Sequence, residues 1–145
     1  MTFEATRSAD QDIKEILSDT LKRFGPRQVD VYADIIDKGM VMVGEDPERG
    51  GSIDRTEIAP DVRLFHLELA AGRSGAASHC LYYTTGRMSN GAVGTIILRV
   101  LHERMEPRHK VVRSLKTFER QSPEPTGGSA DDDTPSGAGG PRSSR

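Results

Sequence analysis

The hydrophobic period changes once along this chain, and that change restricts the fold more than any other feature. Ile13, Ile16, Leu17, Leu21 and Phe24 recur at spacings of three and four, and so do Tyr32, Ile35, Ile36, Met40 and Val43. Such spacing puts apolar side chains on one face of a helix, so both segments read as amphipathic helices. Beyond residue 61 the pattern shortens to runs at 62–69, 78–84 and 95–102. These are rich in β-branched and aromatic residues and read as strands. Ser8, with Gln11 three residues later, predicts the N-cap of the first helix. Gly25 suits the residue that ends it, and Pro26 cannot continue it. A link that short folds the two helices into an antiparallel hairpin. Gly39, inside the second helix, either permits close packing or weakens the helix. Residues 3–7 alternate weakly as a short first strand, 45–60 form a polar loop, and 111–118 fit a helix or a strand. The expected fold is α+β, in the order β-α-α-β-β-β, with an antiparallel sheet packed on the N-terminal helix hairpin.

Composition sets the domain boundary. The 145 residues contain only 34% hydrophobic and 5% aromatic side chains, with no Trp. From Gln121 onward there is no Val, Ile, Leu, Met or aromatic residue, only a mixture rich in Ser, Gly, Pro and Asp. Such a segment buries too little apolar surface to offset its ordering entropy, so residues 1–120 are expected to form one domain and 121–145 a disordered tail. The tail holds Glu124, Asp131, Asp132 and Asp133 against Arg142 and Arg145, which leaves the first 120 residues with equal numbers of acids and bases. That balance hides a segregation. Residues 30–61 hold nine acids and three bases, whereas 96–120 hold seven bases and three acids. The cationic stretch suits an acidic protein surface or a nucleic acid, and a merely solvated face competes with both. One cysteine excludes an intrachain disulfide, and the four histidines lack metal-ligand spacing, so neither a metal nor a cofactor is expected. No apolar run approaches the ~20 residues of a membrane span. The N-terminus has no signal-peptide pattern, and a cytoplasmic location is expected.

Several segments, in order, carry a resemblance across about residues 10–112: Phe24-Gly25 at the hairpin corner, Asp46-Pro47-Glu48-Arg49-Gly50, Val62-Arg63-Leu64-Phe65, and above all Leu98-Arg99-Val100-Leu101-His102-Glu103-Arg104-Met105-Glu106-Pro107. Together they resemble the RelE/ParE superfamily of type II toxins, and most closely its ParE branch. The segment at 72–77 and the tail depart from the shortest members. The resemblance implies a cognate antitoxin, ParD-like with a ribbon-helix-helix fold, in a hetero-oligomer with the toxin. It further implies growth inhibition and a place in plasmid maintenance or stress response. ParE-like members poison DNA gyrase, whereas RelE-like members cut mRNA on the ribosome. The shared fold does not choose between them.

The residues separate the two chemistries in part. Metal-independent RNA cleavage needs a base for the 2′-hydroxyl, an acid for the leaving oxygen and cations for the phosphorane. Arg63, Tyr83, Arg99 and His102 are the candidates, with His109 nearby in sequence. Arg99 and His102 are three apart on a strand and should face opposite ways unless a bulge intervenes. His102 at a strand end serves equally well as a hydrogen-bonding terminus. Tyr83 beside Tyr82 reads as core, His66 and His79 as structural, and Cys80 as a buried small apolar residue. Residues 57–69 contain Arg63 as their one base, poor equipment for gripping rRNA and mRNA. The expectation is therefore a ParE-like toxin that inhibits DNA gyrase by binding and has no catalytic residues of its own. Arg99, His102, Arg104, Met105 and Arg108 form its target-binding end. A ribosome-dependent endoribonuclease is the alternative, and a non-toxic relative that retains only antitoxin binding is a second.

Overall fold

Gly25 turns the chain between two helices with a positive φ of 89°, a conformation glycine adopts without steric cost. It serves both as the last cap of α1, Arg7–Phe24, and as the first cap of α2, Pro26–Glu45, so the hairpin needs no further linker. The computed structural model describes residues 2–121; the predicted tail, apart from Gln121, lies outside the described residues. The N-cap of α1 is Thr6 and not Ser8. Its Oγ1 accepts the Ala9 N–H at 3.1 Å and donates to the Leu98 carbonyl, while its own N–H donates to Ile97 O. Those long-range bonds place the helix start one turn's fraction earlier than the local Ser-x-x-Gln pattern suggests.

The sheet runs β1-β5-β4-β3-β2. Strands β3 (Arg63–His66), β4 (His79–Arg87) and β5 (Val93–His102) pair antiparallel as expected, whereas β2 (Ile53–Asp54), inside the segment expected to be a polar loop, adds antiparallel to β3. Strand β1, Phe3–Ala5, adds in parallel on the outer edge of β5 and makes the sheet mixed. The end of the strand expected at 62–69 also differs. β3 stops at His66, and Glu68–Ala71 forms one helical turn, α3, closed by Gly72 at φ 81°. The Glu68 N–H donates to His66 Nδ1 and so leaves the ladder. The undecided C-terminal segment is a helix, α4, Arg108–Gln121.

Both sheet faces are covered. Ile36, Val43, Phe65, Leu81, Tyr83, Ile97 and Val100 meet the hairpin on one face. Leu64, Cys80, Tyr82, Leu98, Leu101 and Val111 make a second core beneath α4. A bulge between Tyr82 and Tyr83 lets Ile97 and Val100, three residues apart, point into the same core. Gly39 is a close-packing glycine: a Cβ there would collide with Leu67 Cδ2 and touch Ala70. Gly39→Val is expected to cost about 1–3 kcal/mol by overpacking a fully buried contact. A urea midpoint within error of the parent would refute this reading. No helix among the described residues is long and apolar enough to cross a membrane.

Candidate functional site

The antiparallel register gathers chemistry at one end of the sheet. His66 pairs with Cys80 and His79 pairs with His102, so three of the four histidines meet where β3 ends, β4 begins and β5 ends. They sort by face. His79 and His102 lie toward the hairpin, with ring centroids 5.4 Å apart in an edge-to-face arrangement. His66 lies on the opposite face and contacts Glu103 Oε1 through Nε2 at 2.6 Å. Because His66 Nδ1 accepts the Glu68 N–H, Nε2 carries the proton and donates to the carboxylate. That bond holds the Glu103 carboxyl below its usual range, with His66, His102 and Arg104 adding attraction. Among the described residues no group of three His, Cys, Asp or Glu side chains is placed to hold a metal ion.

His79 is locked by the hairpin. The Tyr32 hydroxyl accepts the Ser78 N–H at 3.2 Å and lies 2.6 Å from His79 Nδ1, so it donates to that nitrogen. Burial, reinforced by the neighbouring His102, pushes the imidazole pKa down to about 4. The unfolded chain therefore binds more protons than the folded one between about 4 and 6.5. Stability should fall as pH drops through that window, with the depressed Glu103 acting in the same direction at lower pH. Urea titrations at pH 7 and pH 5 test this. The midpoint should drop in the parent and drop less in His79→Gln, and a parent midpoint that does not move would refute it.

The predicted nuclease set does not assemble. Tyr83 is fully buried, and its hydroxyl donates to Pro47 O at 2.6 Å and contacts Ser52 Oγ at 2.6 Å. Arg63 donates through Nε to the same Ser52 Oγ at 2.7 Å. Both residues thus pin the 47–52 loop to the sheet, away from the histidine end. Ser52 was not legible as their partner, because nothing local links it to residues 11 and 31 positions away. Arg99 is engaged elsewhere again. Its Nε and Nη2 reach Asp12 Oδ2 and Oδ1 at 2.6 and 2.7 Å, and Asp12 also accepts the Val100 N–H at 3.0 Å. β1 pairs β5 only through Ile97, so Asp12 closes the strand edge left open beyond it. Asp12 lies in the Ala9-Asp12-Ile16 line at spacings of three and four, and that was its one sequence signal.

Arg99, His102 and Met105 do come together, around a shallow depression of about 230 Å³ shared with Asp12 and Lys110. His102 Nδ1 accepts the Arg104 N–H at 3.1 Å, which bends the chain into the Glu103–Glu106 turn. Arg104, Met105 and Arg108 are exposed around that turn, and Arg108 Nη1 donates to Glu57 O at 2.7 Å. On the other side of His79 a cleft of about 600 Å³ opens between the hairpin corner and residues 75–79. Phe24 lines it at 70% exposure, with Leu21 exposed beside it. Cys80 is buried, and burial pushes its thiol up to about 11, so it stays protonated and unreactive.

A helix hairpin on a mixed sheet, a cleft of mixed polarity at its corner and an exposed turn after the last strand describe a small α+β protein. Residues 3–107 match the family model of the ParE toxin of the type II toxin-antitoxin system parDE, and the chain belongs to this family. Comparison with curated proteins gives no match.

Proposed function

We propose that this toxin acts by binding DNA gyrase, in the cytoplasm, and is held inactive by a ParD-like antitoxin. The observation that carries this reading is the dispersal of Arg63, Tyr83, Arg99 and His102. An RNA-cleaving site needs its base, acid and phosphate-binding cations within reach of one phosphate. Here Arg63 and Tyr83 are tied to Ser52, and Arg99 is tied to Asp12. A binding poison needs only an accessible surface, and Arg104, Met105 and Arg108 supply charge and a flexible apolar contact.

The antitoxin reading rests on the hairpin corner. Phe24 is exposed there and lines the 600 Å³ cleft, and Leu21 and Val31 are further large apolar side chains left exposed on the hairpin helices. An antitoxin segment that folds on contact would cover them with apolar anchors. Asp30, Asp34 and Asp37 are exposed on α2 and would lie outside that contact. Induction of the toxin without its antitoxin tests the proposal. Growth arrest with DNA breaks and intact mRNA is expected. Translation arrest with cleaved mRNA would replace gyrase by the ribosome, and undisturbed growth would mark a relative that only binds antitoxin.

A further inference from the structure

Helix α4 lies beyond the matched family region, which ends at residue 107, and it carries a charge pattern of its own. Val111, Ser114, Leu115 and Phe118 turn inward onto the second core, and Ser114 Oγ donates to Leu98 O at 2.8 Å. At 100° per residue the side opposite these four is His109, Arg113, Lys116 and Arg120, all exposed. They recur at intervals of four, three and four and form one straight ridge of about 16 Å. Lys110 flanks the ridge, and Glu119, at its far border, is the helix's one acid. Among the described residues no acid lies within ion-pair distance of Arg113, Lys116 or Arg120.

We propose that the solvent face of α4 docks on the phosphate backbone of duplex DNA, through Arg113, Lys116 and Arg120, without reading bases. Charge complementarity selects a polyanion: three cations stand one helical turn apart, on a domain whose acids gather instead in residues 30–61. The ridge also separates duplex from single-stranded nucleic acid. Single strands are held by aromatic side chains that stack on unpaired bases. Here Phe118 packs into the core, and the one ring on the ridge is His109, at its N-terminal end and outside the row of three cations. A rigid row of cations with no Phe, Tyr or Trp exposed among them suits a regular phosphate row. This inference does not depend on the gyrase reading, since the contact requires no topoisomerase.

The test is anisotropy of a fluorescein-labelled random-sequence 30-base-pair duplex titrated with the full-length protein. Three phosphate contacts predict a log–log salt slope of about −2.7, equivalent to about 40-fold weaker binding between 50 and 200 mM salt. The triple variant Arg113→Gln, Lys116→Gln, Arg120→Gln should bind at least about tenfold more weakly at 50 mM salt, with a nearly flat slope. Arg113→Lys should bind like the parent, and so should Lys14→Gln with Lys38→Gln, which removes two cations elsewhere. Circular dichroism melting of each variant confirms folding. Absence of duplex binding at 50 mM salt, or equal binding by the triple variant, overturns the proposal. Tighter binding of a labelled single-stranded RNA of the same length transfers the ridge to RNA. Binding of labelled poly-glutamate in place of the duplex transfers it to an acidic protein.

Discussion

Reversing charge at Arg104 and Arg108 together is expected to abolish growth arrest on induction, whereas His102→Gln leaves most of it. On the binding reading proposed above, the turn after β5 meets an acidic target surface, and like charges set against each other there cost several kcal/mol. Arg104 is exposed and has no ion-pair partner among the described residues. Arg108 also donates to Glu57 O, so Arg108→Gln, which keeps a donor, is the folding control. A glutamine at position 102 can still accept the Arg104 N–H that His102 Nδ1 accepts now, but it cannot titrate. A nuclease predicts the reverse, because losing a general acid or base typically slows catalysis ~10²–10⁴-fold. Colony counts under induction, with circular dichroism of each variant, separate the cases. Full toxicity in Arg104→Glu/Arg108→Glu would remove this turn from the target contact.

The largest stability effect should come from Asp12→Ala. Asp12 is 7% exposed and accepts three hydrogen bonds, two from the Arg99 guanidinium and one from Val100 N. Truncating it strands a partly buried cation and a buried edge N–H together. Breaking one partner of such a pair costs about 3–5 kcal/mol. For a domain of this size that lowers the melting temperature by about 10–20 °C. Asp12→Leu with Arg99→Met should recover much of the loss, since the desolvated charges go together and only the Val100 N–H stays unpaired. A loss below about 1 kcal/mol in Asp12→Ala would mean that water reaches the pair and screens it.

The same pair shows why site residues were harder to read than elements. Arg99 looked available for a target because its strand is cationic, yet its partner lies 87 residues away. Tyr83 and Arg63 looked like parts of one catalytic group, and both are spent on Ser52. Cys80 and Tyr83 are nonetheless buried, as their core readings implied. His66, His79 and His102 are scattered along the chain and meet only because antiparallel pairing brings three strand ends together.

Sequence alone determined the two helices, the three main strands, the hairpin corner at Gly25-Pro26 and the family. These depend on side-chain period and turn chemistry, which act between neighbours a few residues apart. Tertiary structure alone decided the parallel addition of β1, the cap at Thr6 and the end of β3 at His66. It also decided the Tyr82–Tyr83 bulge and the helical state of α4. The physical reason is common to all of them. Local preference was weak or divided at these points, and the buried N–H and C=O groups took the partners that long-range packing brought within reach.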